Sequence, residues 1–183
     1  MSTGVIILIA IAVIVFFLIV WYFGVYNGIK VSGIKVEEAL SGIDVALTKR
    51  YDVLTKMLDV TKGYMAHEKE TLMGLVQLRA GMSMGERTAA NNKMNDISRE
   101  IRILAENYPE LRSSNNFVEL QRSIADVEEH LQAARRLYNS NVTDYNRRII
   151  TVPNNIVAGM MGATQKAFFE ADEIKKNDVN MTF

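Results

Sequence analysis

The chain has 183 residues, of which 49% are hydrophobic, and its 21 lysine and arginine residues are balanced by 21 aspartate and glutamate residues. This balance removes the overall positive potential that nucleic-acid-binding proteins usually carry, so DNA and RNA are not expected as partners. There is no cysteine, which excludes disulfides, thiolate metal sites, iron–sulfur clusters and a cysteine nucleophile.

The N-terminal segment, residues 1–29, contains no charged side chain, and residues 4–23 form an apolar run. A helix of about 20 residues matches a hydrocarbon core about 30 Å thick. No basic residue precedes the run, and Trp21 begins an aromatic group typical of a membrane interface, so we expect an uncleaved, single-pass transmembrane anchor. Lys30 and Lys35 follow the run, which predicts a cytoplasmic domain and an N-terminus outside.

Glycines follow the apolar run at Gly24, Gly28 and Gly33. They allow two interpretations. Residues 30–35 can form a short hinge, or the Gly24-x-x-x-Gly28 pair can form a close-packing face for a second helix. We favour the hinge, and association of the chain with itself stays open.

Three stripes of apolar residues at helical spacing predict an all-α fold, with the transmembrane helix followed by a long antiparallel up-down helical bundle. The helices are expected near 36–63, 67–107 and 116–151. The middle stripe weakens over residues 81–92, where looser helix or a short break is expected. The third stripe holds a heptad spacing over more than four turns, as in a coiled coil.

Local signals predict where these helices begin and end. Gly63 is expected to stop the first helix, Pro109 to end the second and Pro153 the third. Asn116 is expected to cap the third helix, and Asn154 or the next residue to cap a short fourth element closed by Gly162. The predicted organisation is an anchor over 1–29, a hinge over 30–35, a bundle over 36–165 and a tail over 166–183.

Polar residues interrupt the predicted seams at two places. On the first helix, Asp44 and Arg50 either pair with a partner on another helix or extend their charges into solvent at the bundle edge. On the third helix the polar residues lie near two tyrosines, which either pack in the core or line a ligand site. The candidate polar cluster is Asp44, Arg50, Arg136, Tyr138, Asn139 and Tyr145.

No catalytic motif accompanies this cluster. Neither His67 nor His130 belongs to a Glu-x-x-His pair, which a di-iron bundle requires, and no phosphate-binding loop or nucleophile elbow occurs. We therefore expect no metal, no cofactor and no enzymatic activity.

Short motifs spread over nearly the whole chain resemble the LemA family. They are Tyr26-Asn27, Glu38-Ala39, Ile43-Asp44, Lys49-Arg50-Tyr51-Asp52, Gly63-Tyr64, His67-Glu68, Tyr108-Pro109-Glu110-Leu111, Asn116-Phe117, Ala134-Arg135-Arg136, Tyr138-Asn139, Tyr145-Asn146, Pro153-Asn154-Asn155-Ile156-Val157-Ala158, Phe169-Glu170-Ala171 and Phe183. The resemblance implies a bacterial, single-span membrane protein with a long antiparallel helical bundle and no established catalytic residue. Thr55 stands where the family usually has a proline, so the kink that such a proline produces is not expected here.

The sequence therefore predicts a membrane-anchored helical scaffold or interaction protein of the bacterial envelope, whose protein partners it does not identify. Two alternatives remain. One is a membrane-remodelling or oligomeric coat protein that uses the Gly24 and Gly28 face, and the other is a ligand-binding or enzymatic bundle that uses the candidate polar cluster.

Overall fold

The computed structural model of the chain describes residues 2–61 and 81–169, and every regular element within these ranges is an α-helix. The predicted all-α fold with a long apolar N-terminal helix is confirmed. The predicted stop at Gly63 lies outside the described residues. The helices are α1 (Thr3–Thr61), α2 (Met84–Asn107), α3 (Pro109–Ser113), α4 (Asn115–Ile150) and α5 (Asn154–Met160).

Helix α1 runs without a break for 59 residues and is long and apolar enough to cross a membrane over its N-terminal part. Residues 30–35, where we expected a hinge, are helical. The reason is packing, because Ile29 and Val36 are both 2% exposed on either side of this segment. The helix also continues through Thr55, which keeps a backbone N–H that proline lacks, and the hydroxyl of Thr55 donates to the carbonyl of Tyr51 at 2.8 Å.

The chain forms two compact units that share α1 and α4. Among the described residues, unit 1 comprises residues 2–38 and 140–167, and unit 2 comprises residues 39–61, 81–139 and 168–169. The predicted division into a bundle over 36–165 and a tail over 166–183 stays a prediction.

Unit 1 pairs the first part of α1 with the last part of α4 in antiparallel directions. The side-chain amide of Asn141 donates to the carbonyl of Lys35 at 3.0 Å. The guanidinium of Arg148, seven residues further along α4, lies against Gly28, which is seven residues before Lys35 on α1. Buried apolar side chains fill the space between the helices and under α5. They are Ile29, Val36, Val142, Ile149, Val157 and Ala158.

Unit 2 packs α2 and the first part of α4 against the second part of α1. Contacts of Asp44 with Arg87, and of Arg50 with Asn91, show that α2 runs in the same direction as α1. Helix α4 runs antiparallel to α1. The core is formed by the residues that the periodicity selects, with Ile43, Leu47, Leu54, Leu58, Met94, Ile97, Ile101, Phe117, Val127 and Leu131 all buried.

The second helix differs from the single helix predicted over 67–107. In the described part of that range it starts at Met84, after Gly81, whose φ of 80° favours glycine. Ser83 then caps α2, because its hydroxyl accepts from the N–H of Glu86 at 3.2 Å while the Glu86 carboxylate accepts from the N–H of Ser83 at 2.7 Å.

The predicted caps of the later helices are corrected by one or more residues. The hydroxyl of Ser114, rather than Asn116, accepts from the N–H of Phe117 at 3.3 Å, because α4 starts one residue earlier than expected. Pro153, rather than the asparagine after it, occupies the cap position of α5 and forms no side-chain cap. The predicted end of α2 before Pro109 is confirmed, as is Gly162, whose φ is 63° just after α5.

Candidate functional site

The six residues of the candidate polar cluster do not converge on one site. In unit 2, Asp44 and Tyr138 both lie near Arg87, whereas Arg50 and Asn139 contact other groups. Tyr145 belongs to unit 1. Arg136 is exposed. Each group is therefore described with the residues that it contacts.

Arg50 is buried, with 3% of its surface exposed, and its guanidinium connects three helices of unit 2. Its nitrogens donate to the side-chain carbonyls of Asn91 at 2.7 Å and Asn95 at 2.8 Å on α2, and to the carboxylate of Glu128 at 2.9 Å on α4. The planar guanidinium suits this role because it presents several donors in fixed directions. The first of our two interpretations, pairing on another helix, is correct for Arg50.

Asp44 forms a two-point ion pair with Arg87. The Nε of Arg87 donates to one carboxylate oxygen at 2.6 Å and its Nη2 donates to the other at 2.8 Å, while its Nη1 donates to the carbonyl of Met82. Arg87 is 6% exposed. The hydrogen bond with Asp44 raises the pKa of Arg87, and burial partly offsets this increase.

Tyr138 is 4% exposed in unit 2, and Arg87 is the cation whose field acts on its phenol. Burial raises the pKa of Tyr138 above its ordinary value of 10.0, because the phenolate loses its hydration, and the charge of Arg87 partly opposes this increase. The phenol is therefore neutral at physiological pH and packs as part of the core.

We expect the raised pKa of Tyr138 to make the protein less stable in alkali. Below pH 10 the folded and unfolded chains both keep this proton, and above pH 10 the unfolded chain releases it first, so unfolding becomes more favourable as pH rises through the folded-state pKa. Thermal unfolding of the full chain in detergent at several pH values from 8 to 11 measures the effect. Tyr138→Phe should show a smaller decrease of the midpoint above pH 10, and an equal decrease in both proteins would contradict the prediction.

Asn139 holds the backbone of Phe169 in unit 2. Its amide donates to the carbonyl of Phe169 at 3.0 Å, and its side-chain oxygen accepts from the N–H of Phe169 at 2.9 Å. The Phe169 ring is 4% exposed and lies 4.6 Å from the guanidinium carbon of Arg135, within range of a cation–π contact. Asn139 therefore fixes one point of the chain that follows α5.

Asn146 does the same for Lys166 in unit 1. Its amide donates to the Lys166 carbonyl at 2.9 Å and its side-chain oxygen accepts from the Lys166 N–H at 2.8 Å. The ammonium of Lys166 lies 5.5 Å from the ring centroid of Tyr145, which packs against Gly33. The Tyr-Asn pairs at 138–139 and 145–146 thus each combine a buried ring with an amide that binds backbone.

Two open grooves lie in unit 1. One of about 300 Å³ is lined by residues that include Asn27, Lys35 and Arg148. The other, of about 450 Å³, is lined by residues that include Tyr145 and Lys166. Of the six candidate residues, Tyr145 lines one of these two grooves.

The two candidate packing glycines have different surroundings. A Cβ added at Gly24 would meet nothing within 4 Å, whereas one added at Gly28 would lie 2.8 Å from the Nη1 of Arg148. Arg148 of the same chain therefore occupies the space over Gly28.

Sequence reasoning missed Arg87, Asn91 and Asn95, because the region 81–92 has few apolar residues. The sequence did contain one signal: these three polar residues are each four positions apart, so they lie on one face of a helix. Within residues 2–61 and 81–169, no group of three or more histidine or acidic side chains could hold a metal ion.

Comparison with known proteins gives two matches. The model of the LemA family matches residues 39–183. Protein LemA of Metamycoplasma hominis is 30% identical over 164 residues, covering 87% of this chain and 75% of that protein.

Proposed function

Because this chain belongs to the LemA family and begins with an exposed apolar helix, we propose that it is a single-pass membrane protein whose helical units bind other proteins of the bacterial envelope. The observation that carries the proposal is the exposure of α1. Large apolar side chains from Val5 to Phe23 are 36–69% exposed around the helix, although the same helix is packed from Ile29 onward. Such a surface is stable in lipid and unfavourable in water.

The orientation in this proposal follows from charge. Lys30 and Lys35 follow the apolar segment and no basic side chain precedes it, so the N-terminus lies outside and the part of the chain that follows the span lies in the cytoplasm. A scaffold role without catalysis is supported by the contacts of two buried guanidinium groups within the chain. That of Arg50 binds Asn91, Asn95 and Glu128, and that of Arg87 binds Asp44 and the carbonyl of Met82.

The topology can be tested with single cysteines, since the natural chain has none. In intact cells a membrane-impermeant maleimide should label Ser2→Cys, and should label Ser123→Cys only after permeabilisation. Labelling of Ser123→Cys in intact cells would reverse the orientation. If both single-cysteine proteins were instead recovered in the soluble fraction of broken cells, and were labelled there to the same extent, the apolar helix would not be an anchor.

The scaffold role needs a separate measurement. A proximity-labelling enzyme fused to the C-terminus of the full chain should enrich particular envelope or cytoplasmic proteins over the same enzyme on an unrelated single-span anchor. An identical protein set from both fusions would contradict the scaffold role.

The two alternatives receive less support. A ligand-binding or enzymatic bundle required the six residues of the candidate polar cluster to converge. Of these, Asp44 and Tyr138 share Arg87 as a neighbour, and Arg87 is already paired with Asp44. Arg136 is exposed and Tyr145 belongs to unit 1. An oligomeric coat protein required the Gly24 and Gly28 face, and Arg148 covers Gly28.

A further inference from the structure

The corner between α4 and α5, residues 150–160, carries exposed large apolar side chains. Ile150 is 57% exposed, Val152 74%, Ile156 59% and Met160 71%. Helix α5 is itself two-sided, because Val157 and Ala158 are buried while Ile156 and Met160, four residues apart, share the outer face. Large apolar side chains exposed together in one short segment are typical of a contact with a partner or a membrane.

The register of unit 1 fixes the level of this corner along α1. Lys35 lies opposite Asn141, and Gly28 lies opposite Arg148. Each step along α4 therefore corresponds to one step back along α1. Continuing this antiparallel register to the last residue of α4 places Ile150 opposite Tyr26, three residues after the exposed apolar segment ends at Phe23.

A basic group lies beside the apolar corner. Arg148 borders the groove of about 300 Å³, together with Lys35 and the polar side chains Asn27, Ser32 and Asn141. The acidic residue of this groove, Asp144, already accepts from Arg147 at 2.7 Å. Among the described residues, Arg148 has no ion-pair partner.

With residues 4–23 as the span, Arg148 lies at the depth of lipid phosphates. Gly28 is five residues beyond Phe23, or about 7.5 Å at about 1.5 Å per residue. Each interfacial layer of a bilayer is roughly 5–8 Å thick. The guanidinium, seated where Gly28 has no side chain, can donate two parallel hydrogen bonds to a phosphate.

We propose that the α4–α5 corner is a second membrane contact, in which Ile150, Val152 and Ile156 enter the lipid interface and Arg148 binds the phosphate of an anionic lipid headgroup. The occupant is a lipid surface because the apolar side chains of the corner begin within one helical turn of the level where the span ends, and the adjacent cation lies about 7.5 Å beyond that level. Interfacial elements of this kind bury their apolar face about 5–10 Å into the headgroup and acyl boundary. The inference rests on the proposed function, since it requires residues 3–23 to cross the membrane.

The test uses full-length single-cysteine proteins that carry an environment-sensitive fluorophore, reconstituted in vesicles of phosphatidylcholine and phosphatidylglycerol. Nitroxide groups on the lipids, placed near the headgroup, quench a fluorophore that lies at that depth. The positions are Val152→Cys at the corner, Ile14→Cys in the span and Ile103→Cys in unit 2, where the natural side chain is 52% exposed.

We expect the fluorophore at Val152→Cys to shift its emission to shorter wavelength and to be quenched by the nitroxide lipids, while that at Ile103→Cys stays unquenched. An apolar environment at Ile14→Cys with a water-exposed, unquenched fluorophore at Val152→Cys would overturn this inference alone. A water-exposed fluorophore at Ile14→Cys would overturn the proposed function as well. A shifted but unquenched fluorophore at Val152→Cys, with a shift that disappears when the protein is diluted in lipid, would identify a second copy as the occupant and overturn the inference.

A charge variant tests the phosphate contact. Arg148→Gln should weaken quenching at Val152→Cys in vesicles with phosphatidylglycerol, and the matched change Arg136→Gln, at an exposed arginine of the same helix in unit 2, should not. Equal quenching in the Arg148→Gln and Arg136→Gln proteins would overturn the role of Arg148.

Discussion

Replacing Arg50 with methionine should lower the free energy of unfolding of unit 2 by about 2–3 kcal/mol, the cost of leaving buried hydrogen-bond acceptors unsatisfied. The side-chain oxygen of Asn91 loses its 2.7 Å bond, and Asn91 is only 4% exposed, so water cannot readily replace the guanidinium. Asn95 loses a bond of 2.8 Å. Methionine keeps much of the volume of arginine, so the loss measures the polar contacts more than a cavity.

The effect of Arg50→Met can be separated from a general loss of charge. Arg136→Met removes an exposed arginine and should change stability by no more than about 0.5 kcal/mol. Glu128→Gln keeps an acceptor for Arg50, and because the Glu128 side chain is 43% exposed, its charge should contribute less than about 1 kcal/mol. Urea unfolding of the full chains in detergent, followed by circular dichroism, gives the three values, and similar losses for Arg50→Met and Arg136→Met would contradict the assignment.

The apolar part of unit 2 could be predicted from the sequence because it follows helical periodicity. Ile43, Leu47, Leu54 and Leu58 recur at steps of four, seven and four along α1, and each is at most 1% exposed. A stripe of this kind must be buried against something, whichever helix supplies the partner. Periodicity therefore determines which side chains enter the core.

The partners of the polar residues could not be predicted in the same way. Arg50 is stabilised by Asn91 and Glu128, which lie 41 and 78 residues away in sequence. The direction of α2 decides whether Asn91 reaches Arg50, and local propensity contains no information about that direction. The burial of Arg50 thus depends on tertiary contacts.

The continuity of α1 shows how packing overrides a local signal. Gly28 and Gly33 reduce helix propensity, by about 1 kcal/mol each relative to alanine, which is why a hinge was expected. In the structure Arg148 lies against Gly28 and Tyr145 packs against Gly33. The small residues that weaken the isolated helix allow close approach of α4, and that contact keeps the segment helical.

The heptad repeat of the Tyr-Asn pairs was visible in the sequence, but its structural role was not. The rings of Tyr138 and Tyr145 are buried, as core packing predicts. The asparagines that follow them bind the backbone of residues 166 and 169, which have no regular structure of their own. An unpatterned segment gives no periodic signal, so its contacts could not be derived from the stripe of α4.

Replacing Asn139 with alanine should detach Phe169 and lower stability by about 2 kcal/mol, from two lost hydrogen bonds of about 1 kcal/mol each. The N–H and carbonyl of Phe169 would lose their partners at 2.9 and 3.0 Å. Exposure of the ring would add to the loss, because a fully buried phenylalanine contributes about 1.5–3 kcal/mol. Hydrogen exchange of the full chain, read by mass spectrometry, should show faster exchange of the peptide that contains Phe169.

Two further variants make the role of the amide specific. Asn139→Asp has nearly the same shape but replaces the donor to the Phe169 carbonyl with an oxygen, so it should also speed exchange at Phe169. Asn141→Ala, on the same helix, removes a single bond that is exposed to solvent, and should cost about 0.5 kcal/mol, the low end for one hydrogen bond. If the peptide that contains Phe169 exchanged as slowly in the Asn139→Asp protein as in the natural chain, the prediction would be wrong. The packing of the Phe169 ring and its contact with Arg135 would then account for the position of Phe169 without donation by the Asn139 amide.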